Sequence, residues 1–167
     1  MYGIGDQVLY GIHGVCRVVD IADRMVDRLQ RQYYVLEPIE QPNARFYIPT
    51  GNQAAVSKLR KILSEAELFD LLRSPQARQD CWIADENQRK QRYRELINSG
   101  DRAALLSMVG TLRRHKQAQQ AAGRKFHMCD DNFLHDAEKL LCAEVSVVLH
   151  MPAEQVPAFL KEQMQVQ

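Results

Sequence analysis

What the chain has little of narrows the field first. Its 167 residues hold four cysteines (Cys16, Cys81, Cys129, Cys142), widely spaced and without a CxxC pair, so neither a disulfide framework nor a zinc knuckle is expected. No apolar run approaches the ~20 residues of a membrane span, and Met1-Tyr2-Gly3-Ile4 lacks the basic-then-apolar pattern of a secretion signal. A reduced, cytoplasmic protein is the expectation. There is no Gly-rich phosphate loop, no GxSxG and no pair of acids placed at strand ends. His127, Cys129 and His135 stand near Asp130 and Asp131, at a spacing that matches no zinc pattern. Neither an enzyme nor a cofactor or metal site is expected. Tryptophan occurs once, as Trp82.

Net charge is also scarce, at +1, but its distribution is uneven. Residues 86–125 carry ten Lys and Arg against three acids, a local +7. The preceding stretch 64–85 is −3 and the following stretch 126–167 is −5. A basic block between acidic ones suits a phosphate-facing surface, and it equally suits a solvated pair of helices.

Residues 1–56 read as β-rich. Gly5-Asp6 is a turn pair, Val8 and Tyr10 alternate with Gln7 and Leu9, and Gly11 to Gly14 reverses the chain. Val15 to Ile21, Tyr33 to Leu36 and Arg45 to Pro49 complete a set of short runs that suggests a small, strongly bent sheet or barrel. Such a sheet offers an edge to a partner, here Ala44 to Ile48.

Residues 57–167 read as helical. Gly51-Asn52 begins a turn or short helix, and the domain boundary falls between Asn52 and Ser64. Ser64-Glu65-Ala66-Glu67 is a capping box for a helix to about Arg73. Pro75 to Asp80 reads as a polar linker. A helix from Trp82 or Asp85 to Gly100 packs Tyr93, Leu96 and Ile97 and leaves Arg89, Lys90, Arg92 and Arg94 outside. Asp101 caps the next, with a stripe of Leu105, Met108, Val109 and Leu112. Asp130 or Asp131 caps a fourth helix that is apolar over more than half its circumference. A last short helix follows Met151-Pro152, where Pro157 is expected to kink or shorten it.

Gly5-Asp6-x-Val8-x-Tyr10, then His13-Gly14, Tyr34-Val35-Leu36 and Ile48-Pro49, together resemble the amino-terminal domain of the CarD family of bacterial transcription regulators. That domain is similar to the polymerase-binding domain of the transcription-repair coupling factor. The resemblance implies an α+β protein: a small Tudor-like (SH3-like) β domain that binds the β subunit of RNA polymerase, then an all-helical domain of about five helices on promoter DNA. One family arginine, just after the second strand, falls on Arg24. Another falls on Tyr47, before Pro49, so Arg45 is the nearest replacement. The family also presses a tryptophan into the minor groove at the upstream edge of the −10 region. Counted back from Gly100, that position is near Glu86, and Trp82 stands about one helical turn earlier.

The polymerase-binding candidates are therefore Arg24, Arg45, Tyr47 and Pro49. The DNA-binding candidates are Trp82, Arg89, Lys90, Arg92, Arg94, Arg113, Arg114, Lys116, Arg124 and Lys125. With no base-reading motif, contacts to phosphates and shape are expected. Trp82 admits two roles, a wedge in the groove or an anchor in the helical core. The competing classes are a protein-interaction module with no DNA role and, more weakly, a helix-turn-helix repressor.

Overall fold

The computed structural model describes residues 1–165. The chain divides into two compact units, Met1–Ile62 and Leu63–Gln167.

The first unit is a five-stranded antiparallel sheet of β1 (Gln7–Tyr10), β2 (Val15–Val26), β3 (Leu29–Pro38), β4 (Phe46–Pro49) and β5 (Leu59–Lys61). In space the order is β4-β3-β2-β1-β5, so β4 and β5 are the edges. A single-turn helix, α1 (Gln53–Val56), lies between those two strands in sequence. Strand β5 pairs with β1, Leu9 opposite Arg60, so a division after residue 56 would cut this sheet. Leu59-Arg60-Lys61 has one apolar residue, too few to show alternation.

Strands β2 and β3 form a long hairpin in which Val26 faces Leu29 across a two-residue turn, Asp27-Arg28. Both turn residues have left-handed φ, 51° and 64°, the geometry that matches the right-handed twist of paired strands. Such turns usually announce themselves with Asn-Gly, and here neither residue is glycine.

The core holds Val8, Cys16, Val18, Tyr34, Leu36, Ile48 and Leu59, each apolar side chain contributing roughly 1.5–3 kcal/mol by leaving water. Tyr2 packs edge-on against Tyr34 of β3, ring centres 5.8 Å apart, while its hydroxyl donates to the Leu59 carbonyl of β5 at 3.1 Å. One side chain reaches both strands because the sheet curls nearly closed. Cys16 is fully buried, and burial pushes its thiol up to about 11, which makes it unreactive.

The second unit contains α2 (Glu65–Arg73), α3 (Pro75–Arg78), α4 (Glu86–Ser99), α5 (Arg102–Ala121), α6 (Met128–Leu149) and α7 (Val156–Gln165). Five of these are longer than two turns, and the protein is α+β. Ser64 and Glu67 form the full capping box of α2. The stretch after it is not a linker. Ser74 caps α3, Pro75 occupies its first position, and Ala77 is buried, an arrangement in which proline's missing N–H costs nothing. Asp85 starts α4, with the Gln88 N–H donating to its carboxylate at 2.8 Å. Gly100 ends it with φ 65°, where a side chain would be strained. Pro157 lies in the first turn of α7 and does not break it.

The helical core gathers Leu72, Tyr93, Leu105, Met108, Leu112, Ala137, Leu141, Val156 and Leu160. Two buried ion pairs join its helices. Arg102 of α5 meets Glu144 of α6 at 2.7 Å, and the Leu63 N–H donates to the same carboxylate at 3.1 Å. Arg89 of α4 meets Asp130 of α6.

Among the described residues no helix is long and apolar enough to cross a membrane.

Candidate functional site

In the β unit the polymerase-binding candidates lie on β2 and on or just before the edge strand β4, spread along β3 from Arg31 to Glu37. Arg24 stands within β2, opposite Arg31 of β3, and not in a loop after the strand. The strand continues to Val26 because the chain reverses only at Asp27-Arg28, both in left-handed φ. The Arg24 guanidinium carbon lies 4.0 Å from the centre of the Tyr47 ring. Tyr47 is exposed on the edge strand β4, opposite Val35, and Pro49 ends that strand opposite Tyr33. Arg45 lies just before β4 and is exposed, as is Tyr47 two residues on. Its guanidinium donates to the carbonyls of Pro42 and Ala44 at 2.8 and 2.9 Å and pairs with Glu37.

In the helical unit Trp82 lies on an extended strap, residues 79–85, that runs from α3 to α4. Hydrogen bonds fix the strap. Ser107 donates to the Gln79 carbonyl, and the Cys81 N–H donates to the Thr111 hydroxyl at 3.0 Å. The Trp82 N–H donates to the Asp80 carboxylate at 2.9 Å. Arg89 Nη1 donates to the Ile83 carbonyl at 2.9 Å. Tyr93, which is fully buried, reaches the Cys81 carbonyl with its hydroxyl at 3.4 Å. The Trp82 ring is half-buried and stacks on His115 of α5, centres 3.7 Å apart and planes 14° apart. The Arg89 guanidinium carbon lies 4.3 Å from the same ring. Trp82 is thus a half-buried aromatic that packs against the helical core and lies under two side chains.

Arg89 is not on the surface. It is 4% exposed and grips Asp130, itself 1% exposed, through two bonds of 2.9 Å. Those hydrogen bonds hold the guanidinium's affinity for its proton above the ordinary value. Asp130 correspondingly does not cap α6. The cap position is His127, and Asp130 sits buried in the first turn.

The other basic candidates divide by partner. Lys90 pairs with Glu86 at 2.6 Å and Arg92 with Glu95 at 3.5 Å along α4. Arg113 meets Glu138 at 2.8 Å, Lys116 meets Asp131 at 2.7 Å, and Arg114 meets Asp80 at 3.2 Å. With Arg89 and Arg102, seven of the ten cations of the basic block have carboxylate partners. Five of those acids belong to the flanking acidic stretches, so the charge asymmetry along the chain is largely neutralised in space. Arg94, Arg124 and Lys125 are exposed and make no ion pair among the described residues.

One of the unpaired cations, Lys125, shares a neighbourhood with the strap. A cleft of about 60 Å³ is lined by Trp82, Arg89, His115, Gln119, Lys125, Phe126, His127 and Asp130. Lys90 and Arg94 succeed each other one turn apart on α4. Trp82, Lys125 and His127 therefore meet where α4, α5 and α6 converge. His115 and Phe126 were not candidates from the sequence, and His127 was weighed only as a metal ligand, because nothing local ties them to a residue more than thirty positions away.

The hydrogen bond from the Trp82 N–H, helped by Arg114, holds the Asp80 carboxyl below its ordinary value. Lys90 does the same for Glu86.

No curated protein matches the chain. Two family models do, and between them they cover nearly all of it. Residues 2–63 match the CarD-like/TRCF RID domain, and residues 67–161 match the CarD C-terminal domain. The boundary between the matches coincides with the boundary between the two compact units. The chain belongs to the CarD family, whose members are RNA polymerase-interacting regulators of transcription.

Proposed function

We propose that the β unit docks on the RNA polymerase β subunit and that the Trp82 end of the helical unit touches promoter DNA near the upstream edge of the −10 region. The chain then stabilises the open complex by binding melted promoter better than closed duplex. The observation that carries the docking is the outer edge of β4, which has no strand partner among the described residues and lies beside the Arg24–Tyr47 pair. An open edge pairs main chain to main chain with a partner sheet, and an arginine beside it adds a charge-assisted contact. On the DNA side, Lys90, Arg94, Arg124 and Lys125 supply phosphate contacts, and Trp82 supplies an apolar surface for a distorted step. Arg89 is withdrawn from this set, since its guanidinium is enclosed against Asp130. Arg113 and Lys116 would have to leave carboxylate partners to meet phosphates.

A second function is favoured by one observation, the seven paired cations. If pairing satisfies the basic block, the helical unit binds protein and not DNA. Co-elution of the chain with core polymerase, followed by titration with promoter duplex at two salt concentrations, separates the two. A gain in DNA affinity that the chain adds to polymerase, with a steeper salt dependence than polymerase shows alone, supports DNA contact. Co-elution with polymerase and no gain from DNA supports the protein-only function.

A further inference from the structure

The stack at Trp82 has a geometric consequence. The His115 ring lies 3.7 Å from the indole centre and almost parallel to it, so it covers that face. The Arg89 guanidinium carbon is 4.3 Å from the same centre. Two planar groups at those separations cannot share one face without overlapping each other. Imidazole and guanidinium therefore lie on opposite faces, and the indole is sandwiched.

We infer that His115 is a positioning residue for Trp82, closing the second face of the indole so that its edge alone meets promoter DNA. The inference rests on the promoter contact proposed for this end of the helical unit. Three restraints act together. The backbone of Trp82 is tied to Asp80 by its own N–H at 2.9 Å, and that of its neighbour Cys81 to Thr111 at 3.0 Å. The Arg89 face is immovable, because the guanidinium is held by Asp130 and the Ile83 carbonyl. Trp82 also packs against the helical core. Of its two flanking side chains only His115 lacks a second anchor among the described residues, so the His115 face is the one that can open. With both faces covered, Trp82 cannot intercalate or stack on a flipped base. An indole edge presses against sugar and base edges in a groove, and Lys125 on the rim of the adjoining cleft meets the neighbouring phosphate. Trp82 stands on a strap and not on α4, so it lacks the helix that would otherwise aim it, and the stack supplies that aim.

The test uses the full chain with polymerase and a linear promoter. Fluorescence and acrylamide quenching are read on the chain alone, where Trp82 is the sole tryptophan and reports the stack without labels. His115→Ala is expected to raise the quenching constant and shorten the open-complex half-life about fivefold, the rate equivalent of about 1 kcal/mol. His115→Phe, which restores a flat ring, is expected to return both readouts towards the parent. Should His115→Ala melt early, His115→Leu keeps the volume without the parallel ring and carries the same comparison. Trp82→Ala is measured alongside. If it shortens the half-life while His115→Ala and His115→Leu leave both quenching and half-life at parent values, the positioning role is overturned and the promoter contact stands. If Trp82→Ala itself leaves the half-life unchanged, the promoter contact falls, and the role of His115 falls with it.

Discussion

The guanidinium of Arg24 and the ring of Tyr47 lie 4.0 Å apart, joining β2 to the edge strand β4 across the intervening β3. Tyr47 holds the Arg24 guanidinium in place from the edge strand. An exposed contact of this kind contributes about 0.5–1 kcal/mol. Tyr47→Ala should therefore weaken polymerase binding by about two- to fivefold through a looser Arg24. Arg24→Glu should weaken it far more, with the melting temperature of each variant near the parent's. Equal binding by parent and Arg24→Glu would remove this pair from the interface.

Arg89 separates a structural arginine from a DNA-binding one. Removing it by Arg89→Ala leaves Asp130 buried and unpaired, an outcome that costs about 3–5 kcal/mol. Calorimetry should show early melting of the helical unit with no change in the β unit. Replacing both partners by apolar residues of similar volume should recover most of that loss. A parent-like melting curve for Arg89→Ala would mean the pair is not closed in solution.

Charge reversal at Lys90, Arg94 and Lys125 together tests the remaining basic surface. Arg94 and Lys125 have no ion pair among the described residues, and Lys90 holds only an exposed one with Glu86. The triple variant should fold normally, lose duplex binding and show a flatter dependence on salt. Retained binding with the parent's salt slope would shift the contact to Arg124 or to the paired cations.

Acid should loosen the strap at Trp82. The Trp82 N–H keeps the Asp80 carboxyl below its ordinary value in the folded chain. Its contribution is then fully present above the unfolded value, about 3.9, and is lost as pH falls through the depressed folded value. Trp82 emission should therefore shift below about pH 4. In Asp80→Asn the shift should be smaller, with the low-pH emission approached already at neutral pH. An identical acid transition in both proteins would assign it elsewhere.

Local chemistry in the sequence is informative wherever a signal and its consequence lie within a few residues. The Ser64–Glu67 capping box, the Asp101 cap and the Gly100 terminus are of this kind, as is the alternation of the first strands. The burial of Arg89 was also legible, though only by phase. It stands four residues before Tyr93, in line with Leu96 and Ile97, and Asp130 stands in line with Leu134, Ala137 and Leu141. Two charges of opposite sign, each on the buried stripe of its helix, point to each other. Charge counting along the chain hid this, because it treats paired and unpaired cations alike. The length of β2 was not legible, since a hairpin turn made by Asp27-Arg28 carries no glycine. Nor was the stack of Trp82 on His115, which exists only because α5 packs beside the strap.

The lifetime of a promoter open complex, measured with heparin challenge in the presence and absence of the chain, tests the central claim most directly. The account requires the chain to lengthen the half-life, and the Lys90, Arg94 and Lys125 reversal to lose that effect while still co-eluting with polymerase. A chain that binds polymerase yet leaves the half-life unchanged would contradict it.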